Sequence, residues 1–157
     1  MDATLKHPSI YVIIGPTAAG KTTWIEKLIL NSQNLIFPPP KQIVFCYAEN
    51  QSIYSKLKAN SPIPIKFHYG LTEELYETIG SGTLLVVDDL LRTTSKDLLL
   101  NIVQRGSHHR GISLVIVAHN LFDKSLRSIS LQSHYLVLMK TARDFDQIKL
   151  LGIIRRG

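Results

Sequence analysis

Gly15-Pro16-Thr17-Ala18-Ala19-Gly20-Lys21-Thr22 fits the pattern G-x-x-x-x-G-K-[ST] at every defined position. The apolar run Ile10-Tyr11-Val12-Ile13-Ile14 precedes it and reads as a buried strand. A helical pattern follows, with Ile25, Leu28 and Ile29 on one face. The motif therefore has the strand–loop–helix setting that its chemistry needs. Glycines let the backbone turn tightly and bring its N–H groups close to phosphate. The helix that starts there adds the positive end of its dipole. This predicts a site for a nucleoside triphosphate built from Gly15, Pro16, Thr17, Ala18, Ala19, Gly20, Lys21, Thr22 and Thr23. In it Lys21 reaches the β- and γ-phosphates and the Thr22 hydroxyl ligates Mg²⁺. ATP and Mg²⁺ are the expected cofactors.

The second half of such a site is expected in Leu84-Leu85-Val86-Val87-Asp88-Asp89. A continuously apolar strand delivers a carboxylate to its C-terminal end, where ligands bind in open α/β sheets. Asp88 is predicted to hold Mg²⁺, through water. Asp89 stands where many ATPases carry a second acid to orient or deprotonate the attacking water. That acid is commonly Glu, one methylene longer. A third strand, Ile112 to Ala118, ends in His119-Asn120, and a polar side chain there can sense the γ-phosphate or position the water. The alternative is that either residue simply caps the loop.

Further strands are expected at Gln42–Cys46, Ile65–Tyr69 (a short edge strand) and His134–Met139. Helices are expected from Ser52 to Lys58, from Thr72 to Gly80 and around Leu98 to Val103. Strands alternating with helices predict an α/β domain with a mostly parallel central sheet flanked by helices. Residues 1–157 read as a single domain. The one cysteine, Cys46, lies in an apolar run and reads as a buried thiol; an intracellular setting fits it. No apolar run reaches the roughly 18 residues of a membrane span.

The net charge is +6, unevenly placed. Residues 1–91 hold 7 Lys/Arg against 8 Asp/Glu, and residues 92–157 hold 11 against 4, so the second part carries +7. A basic second half suits a polyanionic partner such as nucleic acid; a solvated basic face is the plainer alternative. Phosphoryl transfer also calls for an arginine finger, in cis or in trans. Arg92, Arg105, Arg110, Arg127 and Arg143 are the candidates. Arg110 is favoured, acting across a subunit interface, because Gly106-Ser107-His108-His109 reads as a flexible segment between a helix and a core strand.

Four stretches, GPTAAGKT at 15–22, LLVVDDL at 84–90, RGSHHRGISLVIVAHNLF at 105–122 and ISLQSHYLVLMKTARDFDQI at 129–148, together resemble viral genome-packaging ATPases of the FtsK–HerA superfamily. The likeness is to the poxvirus-type ATPases of Polinton-like elements and adintoviruses. It implies a RecA-like P-loop NTPase of the ASCE type, with an additional strand between the two motif strands. It implies a homo-oligomeric ring that drives double-stranded DNA into a capsid or portal, at a viral assembly site in the host cell and away from membranes. The catalytic set expected from the residues is Lys21, Asp89, Asn120 and Arg110, and the resemblance implies a C-terminal segment beyond Gly157. Members often carry Gln-Asn where this chain has His119-Asn120. Other readings are a transferase, since GPTAAGKT also resembles the P-loop of tRNA dimethylallyltransferases, a nucleotide kinase, or a nucleotide-binding assembly module that does not hydrolyse. The first does not need an acid pair at a strand end, and the second would need an arginine-rich lid that the sequence does not display.

Overall fold

The computed structural model describes residues 4–120 and 124–139. Fourteen elements follow in order: β1 (Leu5–Lys6), β2 (Ile10–Ile14), α1 (Lys21–Leu30), α2 (Ser32–Leu35), β3 (Ile36–Phe37), β4 (Gln42–Tyr47), α3 (Ile53–Asn60), β5 (Ile65–Tyr69), α4 (Glu73–Thr78), β6 (Thr83–Asp88), α5 (Lys96–His109), β7 (Ser113–Ala118), α6 (Lys124–Gln132) and β8 (Tyr135–Leu138). Six strands form one sheet in the order β5-β4-β6-β7-β2-β8, and every pairing is parallel. β1 and β3 pair separately as a two-residue parallel ladder.

The sheet is covered on both faces, which is why its central strands read as unbroken apolar runs. β2 shows the division by alternation. Tyr11 and Ile13 pack with Ile25, Leu28 and Ile29 of α1 and with Tyr54 and Leu57 of α3. Ile10, Val12 and Ile14 share the opposite core with Leu98, Leu99, Ile102 and Val103 of α5 and with Leu126 and Ile129 of α6. Cys46 is fully buried in that second core, and burial pushes its thiol up to about 12.

The order of strands decides what kind of α/β fold this is. β2 leads into the phosphate loop and β6 ends at Asp88, yet they are not neighbours; β7 lies between them and pairs with both. This is the RecA-like P-loop arrangement, with its additional strand between the two motif strands. β5 lies at one edge, as expected for the short strand at Ile65–Tyr69.

One expectation fails along α5. Gly106-Ser107-His108-His109 is not a flexible segment but the last turn of that helix, and Gly106 and Ser107 are buried. The apolar spacing Leu98, Leu99, Ile102, Val103 continues to Gly106 and Ser107 with helical period, so small residues extend the buried stripe to the helix end.

Candidate functional site: a P-loop and an acid pair at one edge of the sheet

β2, β6 and β7 run parallel, so their C-terminal ends open on the same edge of the sheet. β2 delivers the loop Gly15–Gly20. Gly15 N–H donates to Ala118 O at 3.2 Å, tying the loop to the tip of β7. A Cβ on Gly15 would stand 2.5 Å from Met139 Cβ, so only glycine lets the chain after β8 pass this close. Ala18 (φ 63) and Gly20 (φ 101) take left-handed conformations that fold the loop back before α1 begins. The first turn of α1 carries no acid, and Gly20 supplies no side-chain cap, so no carboxylate of that turn competes for its amides. This disposition suits an anion.

Lys21 is 8% exposed, and its Nζ donates to Gly15 O, to Pro16 O at 3.1 Å and to His119 Nδ1 at 3.1 Å. His119 Nε2 in turn lies 3.0 Å from Asp89 Oδ1. Asp89 has φ 57, an uncommon conformation for a residue with a side chain, and its N–H donates to Val117 O at 3.3 Å. An open pocket of about 630 Å³ lies against these groups. Pro16, Thr17, Ala48, Asp89, Leu91, Arg92, Thr93, His119 and Asn120 line it.

Asp88 ends β6 and is half-buried. Burial raises the pKa of its carboxyl above the usual carboxylate value and Asp89 adds to this, while Tyr54, Lys21 and His119 act in the opposite direction. Tyr54 OH donates to Asp88 Oδ2 at 3.2 Å. The phenol is pushed upward by burial and by Asp88, so it remains a donor. Tyr54 comes from α3, where Phe45 and Phe67 pack around its ring at centroid distances of 4.9 and 5.0 Å. It is a site residue that sequence reasoning missed, because 34 positions separate it from Asp88 and no local pattern connects them.

The oxygen donors suit Mg²⁺. Among the described residues there is no cluster of three or more His, Cys, Asp or Glu that could cage a metal. Mg²⁺ does not require one: it keeps waters and takes one or two protein oxygens beside substrate phosphates. Thr22, the second residue of α1, and Asp88, with Oδ2 held by Tyr54, are the residues that would hold it.

The structure thus gathers Gly15–Thr23, Asp88, Asp89, His119 and Asn120 at one edge. It does not bring Arg110 there. Arg110 is the C-cap residue of α5 and precedes β7, which puts it at the opposite edge. Its guanidinium donates to Tyr76 O (3.0 Å), Glu77 O (3.4 Å) and Ile79 O (2.6 Å), and its Cζ lies 4.3 Å from the centroid of the Tyr76 ring. Within its own chain, Arg110 clamps the end of α4. Arg92 is the arginine that lines the pocket. Arg105 and Arg127 lie exposed on α5 and α6, and Arg143, with residues 140–148 of the resemblance, lies outside the described residues.

No family model matches the chain, and no curated protein matches it. Among solved structures it is similar to the Legionella pneumophila ATPase DotB, at 14% identity and a TM-score of 0.43. That similarity covers 95% of this chain and 40% of the DotB chain. A likeness this loose adds nothing to what the strand order establishes. This is a P-loop NTPase fold. Among the described residues no helix is long and apolar enough to cross a membrane.

Proposed function

We propose that this chain is a Mg²⁺-dependent ATPase that works as a homo-oligomeric motor moving double-stranded DNA into a viral capsid or portal. One observation carries the hydrolytic half of this reading. Lys21, Asp89 and His119 are linked through contacts of 3.0–3.1 Å beside an open pocket, with Asp88 on the adjoining strand end. A transferase P-loop does not need the second acid. Lys21 and the loop amides bind and orient the β- and γ-phosphates. Thr22 and Asp88 are the residues that would hold Mg²⁺, which would offset charge on the phosphate oxygens. Asp89 and His119 serve the water, and Arg92 stands in the pocket as the candidate finger. The DNA half rests on the +7 balance of residues 92–157 and on the resemblance at 105–122 and 129–148. This reading puts the assembly inside an infected host cell.

The test is ATP turnover with and without double-stranded DNA, together with the mass of the assembly formed in ATP and DNA. A DNA motor is expected to turn over faster on DNA, to form a closed ring, and to bind without sequence preference. Its affinity is expected to fall by orders of magnitude between about 50 and 200 mM salt, through counterion release. Turnover indifferent to DNA, with affinity flat in salt, would leave an ATPase with another task.

A further inference from the structure

Asp88 reaches the site with one of its two oxygens already engaged. Along β6, Leu84 and Val86 turn to the core shared with α1 and α3, so Asp88, two residues on, turns to the same face. α3 begins at the same place. It follows β4, which runs parallel to β6, so its first turn lies at the edge where both strands end. Tyr54 is the second residue of that helix and is 5% exposed, and its hydroxyl donates to Asp88 Oδ2 at 3.2 Å. Among the described residues Asp88 Oδ1 has no hydrogen-bond partner. Three rings fix where the hydroxyl sits. Phe45, Tyr47 and Phe67 pack against the Tyr54 ring at centroid distances of 4.9, 5.2 and 5.0 Å. Tyr47 is itself the register partner of Asp88 on β4, so the sheet sets the ring cluster and the acid side by side. The phenol oxygen lies on the axis about which the ring flips, so flips leave it in place.

A buried phenol needs an acceptor, and a backbone carbonyl would satisfy it equally well. Here the acceptor is the acid that ends the motif strand. The terminal torsion of an aspartate is broad, so an unrestrained carboxylate presents either oxygen over a wide range of angles. A donor on one oxygen removes that freedom, and hydrogen bonds of this kind orient the groups that hold a metal. We propose that Tyr54 is the positioning residue of the Mg²⁺ site: its hydroxyl holds Asp88 by Oδ2 and leaves Oδ1 as the oxygen available to the metal or to a water on it. This rests on the ATPase reading above. Tyr54 makes and breaks no covalent bond; it acts through Asp88 alone. Its contribution is that the carboxylate is ordered when the chain folds and not when the metal arrives, which lowers the cost of binding.

The decisive variant is Tyr54→Phe, which removes the hydroxyl and keeps the ring among Phe45, Tyr47 and Phe67. The readout is binding, not turnover. A non-hydrolysable ATP analogue is titrated into the full chain with Mg²⁺ and again with the metal chelated, and the ratio of the two affinities is the help that Mg²⁺ gives. In Tyr54→Phe that ratio is expected to fall roughly 10–100-fold, with the metal-free affinity within a few-fold of wild type. A hydroxyl that only supports the fold would shift the melting temperature and leave the ratio alone. Tyr47→Phe, the same deletion on the neighbouring ring, is expected to leave the ratio unchanged. In an Asp88→Asn background Tyr54→Phe is expected to cost nothing further, because its effect passes through that carboxylate. On the wild type, ¹³C NMR of labelled tyrosine is expected to show the Tyr54 Cζ resonance moving when Mg²⁺ joins bound analogue, a measurement that needs no variant to fold. An unchanged ratio in Tyr54→Phe would overturn the proposal, as would an equal loss in Tyr47→Phe, an additive loss in the Asp88→Asn background or a Tyr54 resonance indifferent to Mg²⁺. A wild-type chain that binds no analogue, or binds it without help from Mg²⁺, overturns the ATPase reading as well; wild-type binding that Mg²⁺ strengthens leaves that reading standing whatever Tyr54→Phe does.

Discussion

The two edges of the sheet carry equally polar residues and use them in opposite ways. At the edge where β2, β6 and β7 end, Lys21, His119 and Asp89 are linked in a line beside an open pocket, and two residues with side chains, Ala18 and Asp89, hold positive φ. At the edge where the same strands begin, polar groups close on the fold itself. Arg110 caps three carbonyls, His7 Nδ1 is hydrogen-bonded to the Ser113 hydroxyl, and His134 Nδ1 accepts from Ile10 N–H. Burial lowers the pKa of both histidines, which favours their neutral form. Residue type alone does not distinguish function from structure. What distinguishes them is whether the partners of a polar group are the fold's own backbone or other titratable side chains facing an opening.

The comparison can be broken by substitution on either side. Lys21→Ala is expected to have the largest effect, lowering ATP turnover by at least about 10²–10³-fold, as loss of a preorganised phosphate donor does; Thr22→Ala should also abolish Mg²⁺-supported turnover. Near wild-type rates in both would end the phosphate-loop assignment. Arg92→Ala comes next. A finger contributes up to roughly 10³-fold or more, so turnover should fall steeply while affinity for ATP stays within a few-fold. An Arg92→Ala protein with unchanged turnover would remove Arg92 from the site.

Asp88→Asn separates stability from function. Burial raises the Asp88 pKa in the folded protein, so the fold binds this proton more readily than the unfolded chain does. Stability attributable to Asp88 is therefore lost as pH rises from the ordinary carboxylate value through the raised one. At neutral pH the asparagine variant is expected to melt higher than wild type without nucleotide, and no differently well below pH 4, while Mg²⁺-dependent nucleotide binding weakens. Melting curves at both pH values, paired with Mg²⁺ titrations, check this. Arg110→Ala has the smallest expected effect on chemistry: turnover per folded molecule within a few-fold of wild type, but stability lower by about 1–3 kcal/mol from three carbonyls losing a charged donor. Denaturant midpoints and mixed-subunit activity would show it, and a dead but fully stable variant would restore Arg110 as a finger.

Much of the site was legible in the sequence because phosphate chemistry constrains a contiguous loop. GPTAAGKT can be read without tertiary information, and so can an apolar strand ending in Asp88-Asp89. Thr72 was legible as a helix start for the same local reason, and its hydroxyl does accept from Leu75 N–H at 3.2 Å. The failures concern contacts that no short window contains. Tyr54 and Asp88 meet only because α3 packs on the face of the sheet where Phe45, Leu84 and Val86 lie. The His119 ring is defined by Lys21 on one side and Asp89 on the other, not by its neighbours in the chain. β1 and β3, two residues each, are too short to show a period. Arg110 was misread because the helix before it ends in Gly-Ser-His-His, a composition that suggests a loop although its spacing continues a helix.

The strand β7 acts as a ruler. Parallel strands lie about 4.8 Å apart, so inserting one strand sets the phosphate-loop strand and the acid-bearing strand about 10 Å from each other. That span is a property of backbone hydrogen bonding and does not depend on any side chain in the core. Volume changes beneath the site will therefore alter stability more than catalytic geometry. The sensitive coordinate is register. A slip of β7 by one residue against its neighbours would put Ala118 or Asn120 where His119 stands and turn every side chain on the strand to the other face. Ser113 to Ala118, buried at every position and paired on both sides, is the graduation that prevents it.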